Sequence, residues 1–249
     1  MKAKTPRFPK YHREVVQALT RIGNATFGKA VQQDRGSQLI HLGISVPELR
    51  KRVRQGFSFY ELQEDEVLAV WDDLWQNSRY GDVLFAALEF YTPRAKKQVN
   101  PNLWSVVRHW SKRVDNWCHS DGLSALYSRI LESNPAEVYP QMLEWNQSKS
   151  EWLRRISLVS LIHYSGKNAV FLPLKKVLPL ITNCLEDERY YVQTAVGWVL
   201  REMGNVYEKE VLTYLETHIK RIRSSAFSRA IERRNAKDRA QLRKLRSAA

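Results

Sequence analysis

Residues 190–202, YYVQTAVGWVLRE, decide the fold class. Val192, Ala195, Val196, Val199 and Met203 fall at i, i+3, i+4, i+7 and i+11, the spacing of one apolar stripe on an α-helix. That stripe is ordinary core. Tyr191, Thr194, Trp198 and Arg201 run along an adjacent face, so a phenol ring, a hydroxyl, an indole and a guanidinium line up. Gly197 in mid-helix costs about 1 kcal/mol relative to Ala, which points to close approach by another backbone or by a ligand. Trp198 accordingly has two readings, packing against a neighbouring helix or contact with a ligand.

The same period runs outward along the chain. Ten Gly and nine Pro in 249 residues leave long stretches at period 3.6, so the fold class is all-α, and 43% hydrophobic residues can bury a sizeable core. Helices are predicted from Tyr11 to Ile22, Val46 to Gln55, Leu62 to Trp75, Tyr80 to Tyr91, Pro101 to Trp110, Gly122 to Leu131, Pro135 to Trp145, Glu151 to Tyr164, Leu174 to Leu185, Arg189 to Met203 and Val206 to Ile219. Ser45 is the expected N-cap of the second, with Pro47 in its first turn, and Pro93 is expected to stop the fourth. Helix pairs recur about every 40 residues, the period of HEAT-type repeats. The expected architecture is one domain over residues 1–249, a helical-repeat solenoid with a basic concave surface; a compact bundle is the alternative. Residues 1–10 are expected to be a mobile basic start. Residues 236–249 are expected to form a basic tail, and the cations from Lys220 onward read either as a phosphate-binding arm or as a frayed end.

Charge narrows the partner. Forty Lys and Arg against 26 Asp and Glu give +14, so a polyanion is the expected partner, nucleic acid first and an anionic membrane second. No run of about 18 apolar residues occurs, and the N-terminus has no apolar h-region, so a cytoplasmic, nucleoid-associated protein is expected. Cys118 and Cys184 are far apart and lack a CxxC, which argues against a disulfide framework and a zinc cluster.

Polar groups sit beside Trp in three places. In Trp117-Cys118-His119-Ser120-Asp121, Trp117 and Asp121 share a face if the stretch is helical; alternatively Asp121 caps a helix starting at Gly122. In Trp152-Leu153-Arg154-Arg155-Ile156, one of the adjacent arginines is expected to face away from the core, where a surface salt bridge would explain it. The third is the helix of residues 190–202. Arg50 and Lys51, on the face of the predicted helix from Val46, form the first concentrated basic patch.

DNWCHSDG (115–122), EWLRRI (151–156) and YYVQTAVGWVLRE (190–202), in that order and separation, resemble the DNA alkylation repair proteins of the AlkD type, alkylpurine DNA glycosylases built from HEAT-like repeats. Gly43, Ile44, Pro47 and Arg50 are similar to that family's G-[IV]-x-x-P-x-x-R turn. The resemblance covers roughly residues 40 to 230. It implies that Trp117, Asp121, Arg155 and Trp198 surround a damaged nucleotide in double-stranded DNA, with Asp121, Trp117 and Trp198 catalytic. Arg155, Arg154, Arg201, Thr194, Arg50 and Lys51 make the candidate DNA-binding set. The resemblance further implies excision of cationic N3- or N7-alkylated purines by a monomer, without metal or other cofactor and without a deep base-flipping pocket. Two positions depart from the family: Cys118 stands where a second acidic residue is common, and Thr194 where Lys is common.

These residue types suit that chemistry independently. An alkylated purine already carries positive charge, so it leaves without a general acid, while the sugar gains oxocarbenium character that a carboxylate stabilises. One charge pair at about 4 Å and an effective dielectric of about 20 amounts to about 4 kcal/mol, or roughly a thousandfold in rate. A Trp face near a cation adds about 0.5 to 2 kcal/mol, so Trp117 and Trp198 mainly hold the lesion. Two rival readings remain from sequence: a non-catalytic binder of damaged or distorted DNA, and a helical-repeat scaffold for an acidic protein.

Overall fold

The computed structural model describes residues 6–95, 100–162 and 172–248. Among them fourteen α-helices carry the chain, the all-α helical-repeat fold expected from the period. None is long and apolar enough to cross a membrane. The chain divides into two compact units, Met1–Leu126 and Tyr127–Ala249.

In the first unit α1 (Pro9–Thr20), α2 (Ala25–Arg35), α3 (Val46–Arg54), α4 (Glu64–Asn77), α5 (Gly81–Ala95) and α6 (Leu103–Val107) precede the start of α7 (Trp117–Ser133). Helix α5 packs on α1, α3 and α4, which is why it buries nearly its whole circumference. Trp71, Trp75 and Trp110 are fully buried in this unit, and Trp75 stacks on Trp110 at 4.6 Å while donating to its carbonyl. The α3 N-terminus is built as predicted: Ser45 Oγ accepts from Glu48 N–H, and Pro47 sits in the first turn.

Three local expectations in this unit are corrected. Pro93 lies inside α5 and does not end it; Arg94 stacks on Phe90 and donates to its carbonyl at 3.0 Å, which holds the last turn together. Helix α2 is missing from the helices that the period predicts, because Gly28 is its only buried residue and no apolar stripe announces it. Gly28 is there for contact: a methyl on it would sit 2.2 Å from the His41 carbonyl oxygen, and Gly43, at φ +73°, completes the crossing. The basic start is tied down from residue 7, since the N–H groups of Arg7 and Phe8 donate to Asp73 at 2.9 and 3.0 Å and Pro9 opens α1. Residues 1–5 lie outside the described residues.

The second unit continues α7 and adds α8 (Pro135–Asn146), α9 (Glu151–Val159), α10 (Leu174–Asn183), α11 (Tyr190–Gly204), α12 (Glu208–Thr217), α13 (Ser224–Ala230) and α14 (Ala236–Ser247). Helices α9, α11 and α13 pack in succession, and α8 with α10 and α12 with α14 pack in the other layer. Contact between alternate helices is the layer stacking of a helical repeat. The predicted end of α9 at His163 and Tyr164 lies outside the described residues. The expected tail is not a tail: residues 236–247 form α14, capped by Asn235 and docked through Leu242.

Helix α11 is buried on more than its apolar stripe, because it is sandwiched between α9 and α13. Gly197 is explained by the second of these. A methyl there would meet the Ala226 carbonyl oxygen at 2.4 Å and the Ala226 Cα at 2.9 Å, so the close approach that the glycine implied is by another backbone.

Candidate functional site

In the first unit the candidate residues sit on the opening turns of α7. The helix begins at Trp117, not at Gly122, because Asn116 is the capping residue: its Oδ1 accepts from the N–H groups of both Cys118 and His119 at 3.0 Å. Trp117 and Asp121 are therefore four residues apart on one helix, on a shared face, and both are half-buried. The reading of Asp121 as the cap is corrected.

Asn116 itself is completely buried and does more than cap. With its oxygen committed to two N–H groups, its Nδ2 is the donor to His119 Nδ1 at 2.8 Å and to Asp115 Oδ1 at 2.7 Å. That leaves His119 Nε2 to donate to the carbonyl of Gly81, the first residue of α5, at 3.0 Å. Asp115 also accepts from Ser37 Oγ at 3.0 Å and from Gln38 N–H at 2.7 Å. Asp82, on the first turn of α5, accepts from Leu42 N–H at 2.6 Å and Ile44 N–H at 3.3 Å. The loop between α2 and α3 is thus bolted to the starts of α5 and α7, and Trp117 and Asp121 stand on that anchored turn. Gly122 completes it, since a methyl there would reach within 2.6 Å of Leu88 Cδ1. Asn116 and His119 were missed from sequence, although an Asn directly before an apolar helical run is a recognisable cap signal.

Burial opposes ionisation of Asp115, but its bonds and the nearby His119 outweigh burial and hold its carboxyl below the usual range. Burial pushes the Cys118 thiol up to about 11, against the pull of Arg35. Cys118 therefore stays protonated near neutral pH and does not replace a carboxylate's charge. His41 is lowered to about 4 by burial first, then by Arg35 and His119, with Asp115 opposing.

A depressed folded-state pKa means that the unfolded chain binds the proton first, so the stability contributed by neutral His41 is complete above about pH 6.5 and is lost as pH falls toward 4. The total amounts to roughly 3 kcal/mol at 1.36 kcal/mol per unit. His12 and His109, lowered chiefly by burial, act in the same sense. Burial raises Asp82, which acts oppositely at the acid end. Thermal melts should fall as pH drops from about 6.5 to about 5, with the slope flattened in His41→Gln; a melt insensitive to pH across that window would contradict the assignment.

In the second unit, Arg155 and Thr194 meet. Arg155, 5% exposed, donates from Nη1 to the Tyr191 carbonyl at 2.7 Å and to Thr194 Oγ1 at 3.0 Å. Thr194 passes its own proton to the same Tyr191 carbonyl at 3.1 Å. A hydroxyl at 194 thus accepts from a buried guanidinium, where a lysine would set a second cation against it. Trp152 lies 5.0 Å from Tyr191, ring to ring, and Tyr191 meets Tyr190 edge-on at 5.3 Å. Trp198 is half-exposed on α11, one residue from the Gly197 contact that fixes the helix on α13.

The other expected DNA-binding side chains are mostly engaged within the protein. Arg154 does not face away as a free cation: Nε donates to the Asn146 carbonyl at 2.8 Å, Nη1 to Asp187 at 2.7 Å and Nη2 to the Asn183 carbonyl at 3.1 Å. Arg154 thus joins α9 to the segment after α10. Arg201 pairs with Glu202 at 3.0 Å and with Glu232. Arg50 makes a two-pronged pair with Glu89, at 2.7 and 3.0 Å. Lys51 is exposed.

The succession of packed helices defines an all-α helical-repeat protein. The chain belongs to the DNA alkylation repair enzyme family, whose model matches residues 15–233. In structure it is similar to a predicted DNA alkylation repair enzyme from Enterococcus faecalis, with a TM-score of 0.72 and 13% identity, over 86% of this chain and 97% of that one. That likeness is one of fold. No curated protein matches the chain.

Proposed function

We propose that this protein is a DNA glycosylase that hydrolyses the N-glycosidic bond of cationic N3- or N7-alkylated purines in duplex DNA, acting as a monomer in the cytoplasm, on the nucleoid. The observation that carries the reading is the placement of Trp117 and Asp121 one helical turn apart on the capped, anchored start of α7. As the bond from C1′ to the purine breaks, its electron pair leaves with the base, which becomes a neutral alkylpurine. Asp121 stabilises the positive sugar and orients water, whose oxygen joins C1′ and whose proton passes to solvent. An indole face holds the cationic base, a role proposed for Trp117 and, separately, for Trp198. The half-buried setting of both indoles suits a lesion held at the surface without a deep pocket. Arg155, pinned to the Tyr191 carbonyl and Thr194, positions the start of α11 and contributes positive potential toward a phosphate.

The test is release of free base from duplex DNA carrying N7-methylguanine or N3-methyladenine. Duplex binding without release would leave a non-catalytic binder of damaged DNA and overturn the enzyme reading. Binding itself should weaken steeply with salt, with log K falling about 0.9 per log unit of salt for each phosphate neutralised. Affinity that is flat between about 50 and 200 mM salt would instead favour a protein scaffold.

A further inference from the structure

The positive surplus of this chain is concentrated near its C-terminal end. Residues 220–249 hold eleven Lys and Arg against Glu232 and Asp238, a surplus of nine in a chain whose total is +14. Helix α14, beyond the residues that the family model matches, carries much of it. On its own α14 is a poor helix. It has 12 residues and one buried side chain, Leu242, and it sets Arg239 one turn from Arg243, a like-charge pair.

It is nevertheless held firmly from one side. Asn235 Oδ1 accepts from Asp238 N–H at 2.8 Å, and Gln241 donates to Glu216 at 2.7 Å. Arg246 donates to the carbonyls of Ile219 and Ile222 at 3.1 and 2.6 Å and lies over the Phe227 ring at 4.7 Å. The remaining cations are left over. Lys237, Arg243 and Lys244 are exposed and Arg239 is half-exposed, and none has an ion-pair or hydrogen-bond partner among the described residues. By contrast Arg50, Arg154, Arg201, Arg221, Arg223 and Arg233 each sit on a carboxylate. At about 100° per residue, the outward side of α14 runs Arg239, Arg243, Ala236, Ala240, Lys244, Lys237. Two methyl groups therefore form a shallow strip with paired cations on both flanks.

We propose that α14 is a phosphate-contacting helix for duplex DNA, with one strand's backbone lying over Ala236 and Ala240 between the Arg239–Arg243 and Lys237–Lys244 pairs. The inference rests on the DNA substrate of the proposed function. From Lys237 to Lys244 the helix rises about 10 Å, over which one strand presents about three phosphates. Docking α14 in advance places these cations before DNA arrives, so their contact carries little ordering cost.

The test is the variant Lys237→Gln, Arg239→Gln, Arg243→Gln, Lys244→Gln, in the full chain, with undamaged duplex titrated across salt concentration. Its melting temperature should match wild type, because none of the four holds the fold. The slope of log K against log salt should become shallower by about 3, and affinity at about 0.15 M salt should drop on the order of 100-fold. The charge-preserving exchange Lys237→Arg, Arg239→Lys, Arg243→Lys, Lys244→Arg should keep the wild-type slope. Base release that persists in a variant whose slope stays within about one of wild type would overturn this proposal alone. Wild type that binds no duplex would overturn the proposed function as well. Intact duplex binding together with lost binding to vesicles of anionic lipid would reassign α14 to a membrane surface and overturn its DNA role.

Discussion

Asp121→Asn is expected to cut the release of N7-methylguanine or N3-methyladenine from duplex DNA by about a thousandfold, while duplex affinity stays within about threefold of wild type. The substitution keeps shape and removes one negative charge. In the proposed transition state that charge would face an oxocarbenium-like sugar at about 4 Å, an interaction of about 4 kcal/mol at an effective dielectric of about 20, and each 1.36 kcal/mol is tenfold in rate. The proposed mechanism uses that charge chiefly in the transition state, so its loss is expected to change duplex affinity little. Asn116 caps the start of α7, so the helix should survive the change. Single-turnover release compared at equal bound fraction reads the effect directly. Release within about tenfold of wild type would remove Asp121 from the reacting centre, because indole faces, at about 0.5 to 2 kcal/mol each, cannot supply the remainder.

Gly197→Ala is expected to destabilise the protein by about 3 kcal/mol or more, and its sign decides between two effects. Helix propensity alone favours Ala in mid-helix by about 1 kcal/mol, so an unhindered site would become more stable. The added methyl, however, would lie 2.4 Å from the Ala226 carbonyl oxygen and 2.9 Å from both Ala226 Cα and Arg229 Cβ. Two of those three neighbours are backbone, which cannot rotate away as a side-chain end can, so α13 must be pushed off α11. At about 2 to 4 °C per kcal/mol for a chain of this size, the melting temperature should fall on the order of 10 °C. A raised melting temperature would show that α11 and α13 are not in backbone contact. Since Trp198 is the next residue on α11, the proposed base release should suffer along with stability.

How much of this was legible in the residues follows the range of each interaction. Helical period, the Ser45 cap and the ordered Trp motifs are local, and they carried the all-α class, most helix positions and the family. The i, i+4 relation of Trp117 and Asp121 was legible only conditionally, since two capping residues, Asn116 and Asp121, compete for the same helix start. Helix α2 hid because its burial is by glycine contact and leaves no apolar stripe.

By itself, then, the sequence determined which segments are helical, which faces of them are apolar, and that the chain carries an uncompensated positive charge. Only the tertiary structure decided which cations remain uncompensated. Arg154 finds Asp187 33 residues away, Arg50 finds Glu89 39 away and Arg201 finds Glu232 31 away, whereas Lys237, Arg239, Arg243 and Lys244 find no such partner among the described residues. It also decided that Gly197 meets Ala226 and that the basic end is a docked helix. The physical reason is that hydrogen bonds within a helix join residues four apart, so their pattern is written locally. The pairing of a charge or the contact of a glycine depends on where a distant segment packs.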